Sequence, residues 1–496
     1  MRHRPRVGWI FLASAFAGCG DATGPPDSPA VPDELWIYAT GLVMDPGDTV
    51  TLGVTAWDDL AQQYYRAPRT LGWMWNVSYS LRWWSSDSSV AIVDRRGRVA
   101  ALGPGRTVVW SAVGERMDSA TIFVRPTPGP GDLRFREVHA GGWVTCGLTD
   151  DGSAYCWGWG LHGALGSGRA RHFTGAAIPV RVTGGHRFSA LAVGSGHACG
   201  LTGDGRAYCW GSDWYGELGV GRQMSDLTPI QGEGQPIPVD TNVRFAAIAA
   251  GGSSTCALDA VGTPYCWGWN HRGQVGTGSF SQTVGVTRPQ PVASSPSFST
   301  LVSGVFHYCG LTSLGDAYCW GENGRGELGN GLRASAPSPV PVLGGLSFLA
   351  LAAGRESCGL TGDGSVYCWG LVGDLVATSP RLLAGAPRFA AITSGLAACG
   401  LTPSGEAFCW GENEGGALGN GVSDWKYAAS PQRVALAEPF VQISAGGTHT
   451  CGVTAGGEAY CWGSNSHGQL GNGQIQAWNA MFVSVSAVPS RVLGVP

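Results

Sequence analysis

Along most of the chain, apolar and polar residues alternate in short runs that are cut every few positions by Gly, Pro, Asn or Asp. LWIYA at 35–39, TVTLGVTAW at 49–57, RFAAIAAG at 244–251 and PSPVPV at 337–342 are examples. Alternating runs of this length, bounded by turn residues, predict strands. Gly makes up 80 of the 496 residues without a Gly-X-Y period, and Gly is costly inside helices, which argues against long helices. The pattern predicts an all-β chain of short strands and tight turns.

From about Asp132 to Pro496 the strands recur as a unit. TCGLTDDGSAYCWG at 145–158 returns as ACGLTGDGRAYCWG from Ala198 and TCALDAVGTPYCWG from Thr255, and seven versions occur in all. Successive first cysteines lie 53, 57, 53, 49, 41 and 52 residues apart. A period near 50 marks a solenoid, propeller or array. Each unit runs in the same order: an apolar strand, the cysteine hairpin, a Gly-rich turn such as GENGRGELGNG at 321–331, and a Pro-bounded strand. Four short strands repeated radially are propeller blades.

The cysteines pair by hairpin geometry. In every unit a Gly follows the first Cys by six positions, from Gly152 to Gly457. A three-residue hairpin loop needs a positive φ, which Gly adopts without steric cost. Centring the first hairpin on residues 150–152 sets Leu148 opposite Ala154 and Cys146 opposite Cys156, close to disulfide distance. Seven such staples are expected: Cys146 with Cys156, Cys199 with Cys209, Cys256 with Cys266, Cys309 with Cys319, Cys358 with Cys368, Cys399 with Cys409 and Cys451 with Cys461. Zinc fits poorly, since four ligands must converge and the spacing is nine intervening residues with no matching histidines. No C-x-x-C motif suggests redox catalysis. Strand alternation places the repeated Trp157, Trp210, Trp267, Trp320, Trp369, Trp410 and Trp462 on the face opposite the cysteines, where they fill space between blades.

The unit resembles the repeat of the regulator of chromosome condensation family. The residues that carry the likeness are clearest from Gly446 to Val453, in Tyr460-Cys461-Trp462-Gly463 and in Gly468-Gln469-Leu470-Gly471. The resemblance spans about residues 133–493 and implies a seven-bladed β-propeller. The family His stands at His197, His307 and His449, while Val144, Ser254, Glu356 and Ala397 replace it elsewhere, which fits a structural rather than catalytic residue. Unit five is short, its turn reads Gly373-Asp374-Leu375-Val376, and a reduced outer edge is expected there. Two segments could supply a ring-closing strand, LRFREV near the start or SRVLGV near the end.

The N-terminal part is different. MRHRPR and VGWIFLASAFAG make a basic and then an apolar region, read as a signal peptide over residues 1–18. Phe16-Ala17-Gly18-Cys19 resembles a bacterial lipobox, which implies lipidation of Cys19, the one cysteine outside the seven pairs; Phe16 stands where that pattern usually has Leu, and ordinary signal-peptidase cleavage is the alternative. Residues 19–32 form the anchor and tether, 33–125 an all-β domain, 126–131 a stiff linker and 132–496 the propeller. Trp84, Ser85, Ser86, Ala91, Val93, Asp94, Gly97, Val99, Ala101 and Gly105 resemble the bacterial Ig-like group 2 pattern, which implies an Ig-like β-sandwich. An aromatic insertion with Tyr64, Tyr65, Trp73, Trp75 and Tyr79 departs from it and is expected to pack on the sandwich edge.

A formal charge of −4 argues against a general nucleic-acid binder. Paired cysteines and the leader point to export into an oxidising compartment of a bacterial envelope, with a lipid anchor; Gly20 rather than Asp after Cys19 resembles lipoproteins sorted to the outer membrane, which implies that membrane rather than the inner one. No Walker loop, G-x-S-x-G, H-E-x-x-H or EF-hand motif occurs, and no acid/base pair stands out, so no catalytic residue, metal or cofactor is assigned. The expected function is a monomeric binding scaffold for an extracytoplasmic protein or polysaccharide. Its candidate contacts are loop aromatics that vary between units: Trp159, Trp214, Tyr215, Trp269, Trp425, Tyr427 and Trp478. Guanine-nucleotide exchange, by family analogy, and polysaccharide cleavage by a propeller lyase or hydrolase are the alternatives; export weighs against the first.

Overall fold

The computed structural model describes residues 34–38, 42–44, 49–58, 63–67, 81–102, 105–113, 115–124, 133–168, 175–222, 232–281, 285–373, 375–474 and 485–494. The leader, Cys19, the tether, the 126–131 linker, Trp73, Trp75, Tyr79 and Trp478 lie outside these residues. The described chain is all strand apart from turns and two single-turn 3-10 segments, and none of its helices is long and apolar enough to cross a membrane.

Strands between Glu34 and Val124 form three small sheets. They share a core of Ile37, Leu52, Val90, Val99, Val109 and Ile122. The Trp84-Ser85-Ser86 stretch is anchored by its hydroxyls: the Ser85 Oγ lies 2.7 Å from Thr107 Oγ1, and Ser86 Oγ accepts the Val108 N–H at 2.9 Å. Asp94 Oδ1 accepts the N–H groups of Arg96 and Arg98, shaping the turn that Gly97 completes at φ 75°.

Beyond residue 133 the described residues form seven four-stranded antiparallel sheets. Each is a meander drawn from one contiguous stretch. The first holds Glu137–Ala140, Val144–Leu148, Ala154–Gly158 and Ala176–Arg181, and the last holds Phe440–Ala445, His449–Thr454, Ala459–Ser464 and Val485–Arg491. The register of the first hairpin sets Cys146 opposite Cys156 and Leu148 opposite Ala154. All seven cysteine pairs are disulfides within their own sheet, with Cα atoms 4.0–4.1 Å apart. That is a little inside the roughly 4.5 Å of an ordinary non-hydrogen-bonded pair, so the strands pinch slightly to close the bond. The hairpin glycines all take positive φ, from 78° at Gly152 to 87° at Gly315.

Each repeated Trp is buried between neighbouring sheets. Trp157 packs on Phe135 of its own unit, in one core with Leu470 of the last unit. Equivalent phenylalanines, Phe188, Phe245, Phe298, Phe348, Phe389 and Phe440, sit beneath the other six tryptophans. A Phe ten or eleven residues before each first Cys was the unread sequence signal for this partner.

The first and last sheets meet face to face, with no exchange of strands. Gly447 N–H donates to the Gly141 carbonyl at 2.9 Å and Thr448 Oγ1 donates to the Gly142 carbonyl at 2.8 Å. Gln442 brackets Val138, accepting its N–H at 3.2 Å and donating to its carbonyl at 2.9 Å. LRFREV therefore ends in the innermost strand of the first sheet, while SRVLGV follows from the outermost strand of the last. Neither crosses the seam, because each unit already holds the four strands it needs.

The expected reduction of unit five is not found. Its outer strand, Leu375–Leu382, is the longest outer strand of the seven sheets. What is missing is the Gly-rich turn, and the third strand, Val366–Val372, runs almost directly into the fourth.

Candidate functional site: an aromatic sector beside the axial cavity

The innermost strands surround an axial cavity of about 780 Å3. Its lip is a collar of backbone bonds between neighbouring sheets. Gly142 N–H donates to Gly194 O, Gly252 to Val305, Arg355 to Gly395, Leu396 to Gly446 and Gly447 to Gly141, at 2.8–3.2 Å. In an antiparallel meander, the loop after strand one and the turn after strand three lie at the same end. The residues after the axial Gly pair and those after the Trp-Gly strand therefore share one face. The disulfide hairpin tips, with Asp151, Asp204 and Asp363, lie at the other.

On that shared face the side chains differ by sector. Trp143 and Trp159 of unit one meet edge to face at 4.9 Å, beside His467 of unit seven. His162 stands edge-on to Trp214 of unit two at 5.7 Å. Tyr215 stacks on Trp269 of unit three at 5.1 Å, Trp269 stacks on His271 at 5.6 Å, and Phe306 of unit four closes on Trp269 edge-on. Trp143, Trp214 and Tyr215 are 39%, 46% and 41% exposed. Ion pairs take over from the unit-three edge onward: Glu322 of unit four pairs with Arg272 of unit three at 3.7 Å, and Glu412 of unit six with Arg355 of unit five at 3.0 Å.

Of the aromatics singled out in the sequence, Trp159, Trp214, Tyr215 and Trp269 come together here. Trp143, His162, His271, Phe306 and His467 were missed; a position-by-position alignment of the units exposes them as aromatic substitutions at turn positions. Trp425 is 61% exposed in the loop before the outer strand of unit six, apart from the sector's ring contacts, with φ 56°. Tyr427 is no open contact. It begins the outer strand Tyr427–Arg433, and its hydroxyl is buried.

Beneath the face lies a recurring clip between units. His449 Nε2 meets Thr145 Oγ1 at 2.6 Å, and Thr145 donates to the Gln469 carbonyl, which also accepts the Trp157 indole N–H at 2.9 Å. Thr145 spends its proton on the carbonyl, so the imidazole is the donor to Thr145. The same relay links His197, Thr255, Glu217 O and Trp267, and again His307, Ser357, Glu327 O and Trp369. Burial pushes the His197 and His307 imidazoles down to about 4 and His449 down to about 3, so all three are neutral donors.

Unit two holds two carboxyls with raised pKa, the usual flag of catalysis. Burial pushes Asp213 up to about 6 and Glu217 up to about 8. Their bonds are those of the turn amides elsewhere. Asp213 accepts the Leu218 N–H as Asn270 accepts that of Val275, and Glu217 accepts the Tyr215 N–H as Gln274 accepts that of Arg272. They brace a turn. Among the described residues, one group has metal-ligating types together, Glu356 with Cys358 and Cys368, and both sulfurs are in a disulfide.

Seven contiguous four-stranded meanders around a cavity, clipped by Trp and stapled by disulfides, define a repeat protein of β-propeller blades. Two models described as regulator of chromosome condensation (RCC1) repeat match it, one at residues 188–217, 245–274, 298–327 and 440–469, the other at 151–201, 204–258, 315–360, 404–453 and 456–496. Together they cover more than half of the chain, which belongs to the RCC1-repeat proteins. It is similar to the ultraviolet-B receptor UVR8 of Arabidopsis thaliana, 34% identical over 205 residues, which are 40% of this chain and 44% of that protein. The mitochondrial RCC1 domain-containing protein RUG3 of the same plant is 30% identical over 232 residues, 45% of this chain and 50% of that protein. The chain thus matches half or less of the length of these curated relatives. Human WBSCR16 shares the fold, with a TM-score of 0.60 at 22% identity over 68% of this chain and 93% of that one.

Proposed function

We propose that the chain is an exported, monomeric binding scaffold of a bacterial envelope, lipid-anchored through Cys19 at the outer membrane. In this reading a seven-bladed ring presents one face to an extracytoplasmic protein or polysaccharide, and an Ig-like domain at 33–125 serves as spacer. The carrying observation is the exposed aromatic sector at the mouth of the axial cavity. Exposed aromatic patches on folded proteins mark binding surfaces. The perturbed carboxyls and histidines all have structural partners, which leaves the face with the means to bind rather than to react. The fourteen bonded, buried cysteines support export, since structural disulfides persist in oxidising compartments.

Intact mass and non-reducing peptide mapping of the protein isolated from membranes test this reading. Seven bonded pairs and a diacylglyceryl group on Cys19 are expected. Free thiols and an unprocessed N-terminus would place the chain in the cytosol, overturn the reading and favour nucleotide exchange.

A further inference from the structure

We infer that the aromatic sector is a subsite for an uncharged polysaccharide, whose sugar rings lie along the arc from Trp143 to Phe306. This rests on the scaffold reading and names the ligand class for its face.

The sector is three ring clusters set side by side, with Trp159 and His162 on one turn and Trp214 and Tyr215 adjacent on the next. Ring contacts run from His467 through Trp143 and Trp159, from His162 to Trp214, and from Tyr215 through Trp269 to His271 and Phe306, crossing from unit seven to unit four. Its rings brace one another, so little freedom is lost when a ligand settles on them. Trp, Tyr and His each combine an apolar body with a polar tip. A pyranose needs both: an apolar ring face to stack, and hydroxyls to pair with indole N–H, phenol and imidazole.

Charge narrows the choice. Two arginines on the sector's turns are paired, Arg222 with Glu233 at 2.6 Å and Arg272 with Glu322 at 3.7 Å, while Arg325 stands at the far end, on the cavity wall with Phe306. Asp213 and Glu217 are buried beneath it in turn hydrogen bonds. Burial also lowers the pKa of His162 and His467, keeping both neutral at pH 7. Single-stranded nucleic acid also stacks on aromatic rings, but it needs a cationic groove for its phosphates. A uronic-acid polymer needs a free cation for each carboxylate along the arc, and among the described residues Arg325 supplies a single one at its end. The sector suits a ligand with ring faces, hydroxyls and no charge.

Affinity electrophoresis of the full mature chain tests this, in gels containing a soluble β-1,3-glucan, a xylan or a dextran, and in gels containing polygalacturonate. At least one neutral polymer is expected to retard the protein, equally at low and high salt. Trp143→Ala and Trp214→Ala should each weaken retardation about tenfold through the lost stacking contact. Trp425→Ala, outside the sector, should not. Unchanged melting temperatures would establish that the variants are folded. Absence of retardation by all the neutral polymers would overturn the inference, as would retardation by polygalacturonate alone that salt abolishes. If the glycans fail but an envelope protein binds through Trp143 and Trp214, the glycan assignment falls and the scaffold reading stands. If no ligand of either kind binds, both fall.

Discussion

The Trp410 indole N–H donates to Glu356 Oε1 at 2.8 Å. Every other repeated Trp donates to a backbone carbonyl of the preceding unit, as Trp462 does to Ala417 at 2.9 Å. That carbonyl belongs to the Gly-rich turn, which unit five lacks. A carboxylate at the position of the family His takes its place, so a shortened repeat keeps its clip to the next one. The exchange has a cost: Glu356 is almost fully buried, and its second oxygen lies without a partner, as does the Tyr427 hydroxyl.

Burial pushes the Glu356 carboxyl up to about 7 from an ordinary value of 4.5, against the opposing pull of the Trp410 hydrogen bond. The folded chain therefore holds this proton more tightly than the unfolded chain. Its contribution to stability is full below about pH 4.5 and is lost as pH rises through about 7. Glu356→Gln keeps an oxygen for Trp410 and removes the titration. Thermal melts from pH 4.5 to 7.5 should show the wild type losing ground to the variant as pH rises, by at most about 1.4 kcal/mol per pH unit. A pH-independent difference would mean that Glu356 does not titrate there.

His449 should behave in the opposite sense. Its imidazole is driven down to about 3 by burial, so folding releases its proton. The stability it contributes is complete above about pH 6.5 and falls away as pH drops towards 3. Against His449→Gln, the wild type should gain stability as pH rises from 4 to 6.5 and then level off. Because His449 clips the first and last units, the variant should also expose the ring-closing seam to faster amide exchange at Val138 and Ala140. Protection unchanged at these amides would remove the clip from the account of closure.

Removing one staple should weaken the ring without dissolving it. The bonded cysteines are ten positions apart, and closing a loop of that size is worth about 2–3 kcal/mol in the chain-entropy model. Cys399→Ala with Cys409→Ala should lower the unfolding free energy read from a urea titration by no more than that, since strand pairing already holds the hairpin. A midpoint equal to wild type would show that the bond adds nothing to the preformed hairpin.

Phe440→Ala tests the partner of the repeated Trp. Phe440 is buried against Trp462 at 5.8 Å, and truncating such a ring in a core costs about 3–5 kcal/mol. Leu349→Ala, at a residue 67% exposed on the same strand type, should cost less than about 0.5 kcal/mol. Equal denaturation midpoints for the two variants would mean that the Phe–Trp contact is not part of the packing that holds units together.

Much of the fold was legible because its determinants are local and repeated seven times. A Gly at a fixed offset sets each hairpin, the hairpin sets the cysteine register, and alternation puts Trp157 and its equivalents on the face opposite the sulfurs. One unit read correctly is seven units read correctly. The candidate face was half legible. Trp159, Trp214, Tyr215 and Trp269 stood out as loop aromatics, whereas Trp143 and Phe306 reach the same patch from the loop after the innermost strand. They are 16 residues from Trp159 and 37 from Trp269, distances at which sequence spacing carries no information about contact.

By itself the sequence determined strand, turn, disulfide pairing and repeat number, all of which follow from backbone geometry within about twenty residues. Tertiary structure alone decided what passes between units: that the ring closes without strand exchange, that Glu356 replaces a missing carbonyl for Trp410, that Tyr427 turns inward while Trp214 stays open, and that the aromatics gather in one sector. The physical reason is that these outcomes depend on which surfaces of neighbouring units meet. A hydrogen-bond donor such as an indole N–H accepts any suitably placed oxygen, backbone or carboxylate, and only packing settles which oxygen arrives.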